Sequence, residues 1–483
     1  MAVVSTFPTI TSRKGLEPAW ESAAFTWDES SVRHLYRRAC FAPTFSEISA
    51  GLALNPSSAV HTLLNAASTA VPPSWVNDLP FPTPLTSEQQ QQYNTWKREL
   101  REWQIRVMLT EPTSLREKMV LFWHGHFATQ VSDVKVPQHM YHQNALFRQF
   151  AFGNFKEMVK AVAIDPAMLI YLDGIKNRVG NPNENFAREL LELFTIGVDN
   201  YTQADIQEAS RAFTGWQVNG LDAVFNSSRH DYGQKTFMGH TGNFDGNAII
   251  DIIFDQPETA RFICRKLYKF FVYEMPSETV VNQLAVTLRN SNYKISAVLD
   301  RLFKSAHFYD TLHVGAGITS PVDRTAGVIR QLEITVDPGS NVVPKFVRTE
   351  TPEMGQELFE PPNVAGWPGY RQWISTTSLA LRNAFTDAVV DGVDANNSNI
   401  GFSVNPIGFA QEFPDPNDPV ALVSDICKHL CPLPVAPIRQ EFLLETLLQG
   451  IEPENWSLAY PGAAQRIKDL LKVVMRLAEY QLG

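Results

Sequence analysis

Cysteine is scarce in this chain: four in 483 residues, at positions 40, 264, 427 and 431. So few thiols give no disulfide framework. Cys427 and Cys431 flank Lys428-His429-Leu430. On a helix that spacing puts both thiols on one face, as half of a metal site or as two small buried residues, and no second Cys/His pair follows at zinc-finger spacing. No apolar run is long enough for a transmembrane helix. The start, Met1-Ala-Val-Val-Ser-Thr-Phe-Pro-Thr-Ile10, has no basic region followed by a long apolar core. It does not read as a secretory signal, and by itself it points to the cytoplasm. Positive charge is in deficit, with a net charge of −10, so a nucleic-acid partner is not expected. The nucleophile elbow, the P-loop, the dinucleotide fingerprint, the H-E-x-x-H zinc motif and the EF-hand loop are all missing. Serine-nucleophile hydrolysis and nucleotide-driven chemistry are left without support.

What the chain has is apolar bulk and rings: 44% hydrophobic and 11% aromatic residues, enough for a substantial core. Helical spacing of apolar positions recurs along most of its length. It predicts helices near 29–41, 45–53, 56–68, 87–111, 114–123, 140–151, 154–163, 184–196, 203–213, 257–273, 278–289, 295–304 and 320–332, and in the tail at 419–431, 437–449 and 462–481. The expected fold is mainly α, one large multi-helix unit over 1–483 with C-terminal helices over 417–483. Residues 69–86 read as an extended connector, 214–250 as a small glycine-rich β-hairpin insertion, 333–370 as an irregular Pro/Gly loop, and 384–416 as a polar loop.

The stretch from Asn183 to Phe194 is the most informative. Asn183 is placed to cap a helix. Phe186, Leu190 and Leu193 make an apolar face, while Asn185, Arg188, Glu189 and Glu192 make a polar stripe. On so apolar a helix that stripe is expected to face other polar groups, as a site or as a buried ionic network. Trp123-His124-Gly125-His126-Phe127 ends another apolar helix. Gly125 can release that helix and let both imidazoles converge on one cation. Glu184, Glu189 and Glu192 can complete such a shell. The bland alternative is one histidine satisfied in the core and one at the surface.

Arg211-Ala-Phe-Thr-Gly-Trp216 ends the next helix, with Gly215 as its cap and Trp216 as a cleft wall or a core residue. His230-Asp231 and Lys235 lie in the insertion, as an acid/base or ligand pair and an anion holder, or as chance neighbours. Gly239-His240-Thr241-Gly242 reads as a turn. Pro361-Pro-Asn-Val-Ala-Gly-Trp-Pro-Gly-Tyr370 with Trp373 sets three rings on a stiff loop, suited to stacking on a sugar or to packing over helices.

Taken in order, several segments resemble the bacterial family known as domain of unknown function 1800. They are His34 to Thr44, Phe122-Trp-His-Gly-His-Phe127, Asp165 to Asp173, Asn183 to Gly197, Tyr201 with Ala209 to Trp216, His230-Asp231, Lys235, Phe262 to Val272, Ser320-Pro321 and Pro361 to Gly369, covering roughly 30–385. The resemblance implies a bacterial protein with an envelope or extracellular role, since members are often exported and encoded beside a family with a sulfatase- or phosphatase-like fold. It implies no reaction. The chain departs from the family pattern at Cys40 and Ala42, where glycines are favoured, so that turn is expected to be built differently.

The first functional expectation is a metal-dependent hydrolase or lyase for a polar or anionic substrate, such as a carbohydrate. A divalent metal would be held by His124, His126, Glu189 and His230 and would activate a water. Glu192 and Asp231 would move protons, Arg188, Arg211 and Lys235 would hold anionic charge, and Trp216, Trp367 and Trp373 would line the cleft. The alternatives are a non-catalytic binding or assembly protein, with a protein partner and a structural His/Arg/Glu network, and an iron or haem redox protein.

Overall fold

The computed structural model describes residues 15–21, 25–112 and 115–483. The expected signal-free start at 1–10 and the helix start at Ser114 lie outside the described residues. The described chain is mainly α, with 22 α-helices and two small antiparallel two-stranded sheets. No helix among the described residues is long and apolar enough to cross a membrane.

Helix starts follow local capping chemistry. Asp28 accepts from the Ser31 N–H ahead of the Glu29–Ala39 helix. Thr44 with Glu47, Thr86 with Gln89 and Thr202 with Asp205 form reciprocal capping boxes. The glycine-rich insertion is two hairpins, Trp216–Asn219 with Asp222–Phe225 and Lys235–Phe237 with His240–Gly242.

Helices also occupy stretches read as irregular: Gly246–Asp255, Val342–Glu353, Thr376–Asp391 and Pro406–Gln411. Prolines at 344 and 352 broke the apparent period of the second of these. Yet Pro344 sits in the first turn, where a missing N–H costs little, and Pro352 in the last. Thr376–Asp391 runs eight residues into the predicted polar loop and ends at Gly392 in the left-handed region, φ 84°.

Two apolar cores are built. One gathers the helices around Phe155, Ile253, Leu267 and Leu299. The other gathers Trp96, Leu100, Val328, Leu422 and Leu470. The Leu115–His126 helix lies between them, giving Met119 and Trp123 to the first and Leu121 to the second. Ten of its twelve residues are buried, Glu117, Lys118, His124 and His126 among them.

Cys40 and Ala42 sit in the turn after the Glu29–Ala39 helix, and Ala42 takes φ 62°, a conformation that favours glycine. Arg330 fixes the turn by donating to the Ala42 and Leu109 carbonyls at 3.0 and 2.9 Å and to both Glu47 oxygens at 2.6 Å. Left-handed backbone is unfavourable for a Cβ, so Ala42→Gly should stabilise the protein by roughly 0.5–1 kcal/mol. Chemical denaturation of both forms checks this; an unchanged or lowered midpoint would contradict the strain argument.

Candidate functional site

The largest build-up of function-type side chains lines a cleft of about 290 Å³ beside the central helix. Lys118, Leu121, Phe122, Gly125 and His126 supply one wall. They fall at i, i+3, i+4, i+7 and i+8, a single helical face. Arg37 and Arg38 enter from the Glu29–Ala39 helix, and Lys266, Lys269 and Tyr273 from the Pro257–Phe271 helix and its end. The loop carrying Trp367, Tyr370 and Trp373 also lines the cleft.

Five cationic side chains thus line the cleft against two carboxylates, Asp323 and Glu274. Both carboxylates are engaged: Asp323 with Lys118, and Glu274 with Lys269 at 2.9 Å. Arg38 donates to the carbonyls of Phe271, Phe270 and Val272 at 2.9, 3.2 and 3.3 Å. It thereby caps the negative end of a helix. Arg37 donates to the His429 carbonyl. Burial pulls both guanidiniums down to about 10.

Lys266 and His126 make the most unusual contact. Lys266 Nζ lies 3.1 Å from His126 Nδ1 and donates to the Leu193 carbonyl at 2.9 Å. His126 Nε2 meets the Phe194 carbonyl at 3.0 Å, so it carries the hydrogen and Nδ1 is left as an acceptor. Both carbonyls come from Leu190–Thr195, which winds as a π-helix. There the Ile196 N–H reaches back to Leu191 at 3.2 Å, and the Gly197 N–H does so at 2.9 Å. Leu193 and Phe194 stand in the last turn, where helix carbonyls lack N–H partners and are open to side chains. Burial pushes the Lys266 ammonium down to about 8, and burial plus the Lys266 charge hold His126 well below its usual range.

His124 does not join His126. The helix runs unbroken to His126, so residues two apart project to nearly opposite sides. His124 packs against Phe359 and Trp367, each 5.4 Å away between ring centres, with Nε2 unpartnered. Burial lowers it to about 4. His230 lies elsewhere, its Nδ1 2.9 Å from the Thr214 carbonyl. With Trp216 and Phe225 it lines a separate hollow of about 340 Å³. Among the described residues no three His, Cys, Asp or Glu side chains are grouped so as to hold a metal ion. The expected shell of His124, His126, Glu189 and His230 is therefore corrected: helical geometry parts the first two, and the last belongs to the insertion. Cys427 and Cys431 are buried and free.

The remaining expected residues fall into two groups. Arg211 pairs with Asp231 at 2.7 and 3.2 Å and with Glu208 at 2.8 Å. Lys235 Nζ donates to the Asp231 and Gly233 carbonyls at 2.6 and 3.1 Å. Hydrogen bonding from Arg211 holds Asp231 below the usual carboxylate range, and burial lowers Lys235. This knot ties the insertion to the Gln203–Ala212 helix and does not reach the cleft. The polar stripe is not enclosed either. Arg188 is 40% exposed and pairs with Glu184 at 2.9 Å. Glu189 is half-buried and raised by burial and by the Glu192 charge. Glu192 accepts from the Tyr201 hydroxyl at 3.2 Å. Asn183 is not the N-cap expected: Glu184 holds that position without a side-chain cap bond, and Asn183 Oδ1 accepts from the Asn185 N–H at 2.9 Å just ahead of the helix.

Of the expected site residues, His126, Trp367 and Trp373 reach the cleft. Lys118, Lys266, Lys269, Arg38 and Tyr273 were not singled out as site residues. The readable signal was there for three of them: Lys266, Lys269 and Tyr273 repeat at i, i+3 and i+7 along the ring-rich Phe262–Tyr273 segment.

The family model described as Protein of unknown function (DUF1800) matches residues 34–482. No curated protein and no solved structure matches the chain.

Two measurements probe this geometry. A Cβ on Gly366, at φ 85°, would lie 2.1 Å from the Gly125 carbonyl oxygen. Gly366→Ala should therefore cost about 2 kcal/mol or more and shift the Trp367 environment; wild-type stability and an unchanged tryptophan emission would refute the close approach. Lys266 is lowered from 10.5 to about 8. Below pH 8 both the folded and unfolded chains hold its proton, and the fold carries the full burial penalty. Between pH 8 and 10.5 only the unfolded chain still holds it, so stability gains from this group as pH rises. The stability difference between wild type and Lys266→Met should shift toward wild type across that window, by on the order of 1 kcal/mol or more. Parallel pH profiles for the two forms would show that the amine is not perturbed.

Proposed function

Because the chain belongs to the family described as Protein of unknown function (DUF1800), a membership that names no reaction, we propose from its cleft that it is a lyase-type enzyme for an anionic, ring-bearing small molecule. A carboxylated or phosphorylated sugar has that chemistry. The observation that carries the reading is the surplus of cations among rings. Lys266, Lys269, Arg37, Arg38 and Lys118 share the cleft with Trp367, Trp373, Tyr273 and Phe270. Rings offer faces to a sugar's C–H groups, and buried cations hold an anionic substituent strongly because little water screens them.

Lys266 is the reactive group in this reading. An amine lowered to about 8 is a usable base near neutral pH. His126 Nδ1, 3.1 Å away, can take and return a proton. The neighbouring cations would stabilise negative charge as it develops on substrate. Hydrolysis by a carboxylate pair has less to work with, since Asp323 and Glu274 are each held by a lysine. A metal-activated water has no grouped ligands to build on among the described residues. The cation-rich cleft supports the anionic-substrate reading.

Calorimetry with glucuronate, inorganic phosphate and glucose tests this. Glucuronate should bind more tightly than glucose by about ten-fold, since one ion contact in a shielded site contributes about 1.4 kcal/mol, and Lys266→Met should remove most of that preference. Equal affinity for the charged and neutral sugars, or no binding of any of the three, would sink the proposal.

A further inference from the structure

We propose that Lys266 is a nucleophile that forms an imine with its ligand, and that the cleft therefore takes a carbonyl compound bearing an anionic group, such as a 2-oxo acid or an open-chain phosphorylated sugar. The inference rests on the reading of the cleft as an anion site and names the substrate class for it.

Donor counting carries the argument. An ammonium has three hydrogens to place. Among the described residues Lys266 meets two hydrogen-bond acceptors, the Leu193 carbonyl and His126 Nδ1, and the face of the Phe262 ring. A neutral amine has two hydrogens, so both acceptors are matched and its lone pair is left over. Among the described residues no carboxylate forms a salt bridge with this amine, and burial lowers its affinity for protons. The side chain borders the cleft, and the ring of Phe262 lies 5.0 Å from Nζ. An amine that sheds its proton near pH 8, is not paired with an acid and borders a cleft is the arrangement that makes lysine reactive toward carbonyls.

His126 supplies the proton relay. Its Nε2–H is committed to the Phe194 carbonyl at 3.0 Å, which holds the lone pair on Nδ1, the nitrogen facing Lys266. In the step itself, the Nζ lone pair forms the N–C bond as the carbonyl π pair moves to oxygen. One Nζ hydrogen passes by way of His126 to that oxygen, giving the carbinolamine. The second Nζ hydrogen follows the same route as the C=N bond forms, and the oxygen leaves as water. Both hydrogens end on the departing water, so no oxidant or reductant is required. The remaining cations of the cleft hold the anionic group while this happens.

The test uses the full chain and pyridoxal 5′-phosphate, an aldehyde that carries a ring and a phosphate. One equivalent is added at pH 8, the imine is reduced with borohydride, and the modified lysines are mapped by peptide mass spectrometry. At that pH an amine titrating near 8 has about a hundred-fold larger neutral fraction than an ordinary lysine, so Lys266 should carry at least about ten-fold more adduct than the average surface lysine. Excess glucuronate should protect it. Lys266→Arg should abolish the adduct at this site. If that variant does not fold, the map on wild type decides the matter alone. Adduct spread over surface lysines with none at Lys266, while glucuronate still binds, overturns the imine and leaves the anion site standing. Absence of both adduct and glucuronate binding overturns the two together.

Discussion

Charged side chains buried on a helix between two cores set the terms for the rest of this molecule. Glu117 is 1% exposed. An unmatched carboxylate there would cost several kcal/mol, so its surroundings must answer it. Arg148 does so from both nitrogens at 2.7 Å, and Gln104 adds a bond at 2.9 Å. These partners come from two other helices, Ser87–Thr110 and Pro137–Gln149. The match therefore fixes how three helices sit together as well as neutralising a charge. Once the helix is held in that rotation, its other face follows from helical geometry, and Lys118, Phe122 and His126 are delivered to the cleft.

The π-helical turn at Leu190–Thr195 does the corresponding job on the far side. Its last turn leaves two successive carbonyls, Leu193 and Phe194, without N–H partners inside the helix. Buried carbonyls need donors, and the donors that come are His126 and Lys266. The same need that satisfies the backbone orients the imidazole tautomer and holds the lysine amine against it. Structural satisfaction and chemical poise are supplied by one set of contacts, which is why substitution of Lys266 by Arg informs more than truncation.

Much of this was readable along the chain. The capping residues Asp28, Thr44, Thr86 and Thr202 start helices where local hydrogen bonding demands it, and the glycines of 214–250 turn into hairpins. In the Asn183 to Phe194 segment the polar stripe is half-buried, while the Leu193 and Phe194 carbonyls, which no side-chain pattern reports, accept from Lys266 and His126. The His-x-His pair misled because Gly125 was expected to break the helix. In a helix packed on all sides, tertiary contacts outweigh the roughly 1 kcal/mol preference of glycine for leaving it. Gly125 is instead where the loop at Gly366 crosses.

The amino-acid sequence by itself determined the mainly α class, most helix starts, the hairpin insertion and the family, because these depend on periodicity and on bonds between residues a few positions apart. The cleft was decided only by the fold. Its central pair, His126 and Lys266, stands 140 residues apart in the chain, and neither residue is unusual where it stands. What makes them a pair is shared loss of water at a point where two cores and a distorted helix end meet, and desolvation of that kind is a property of three-dimensional neighbours.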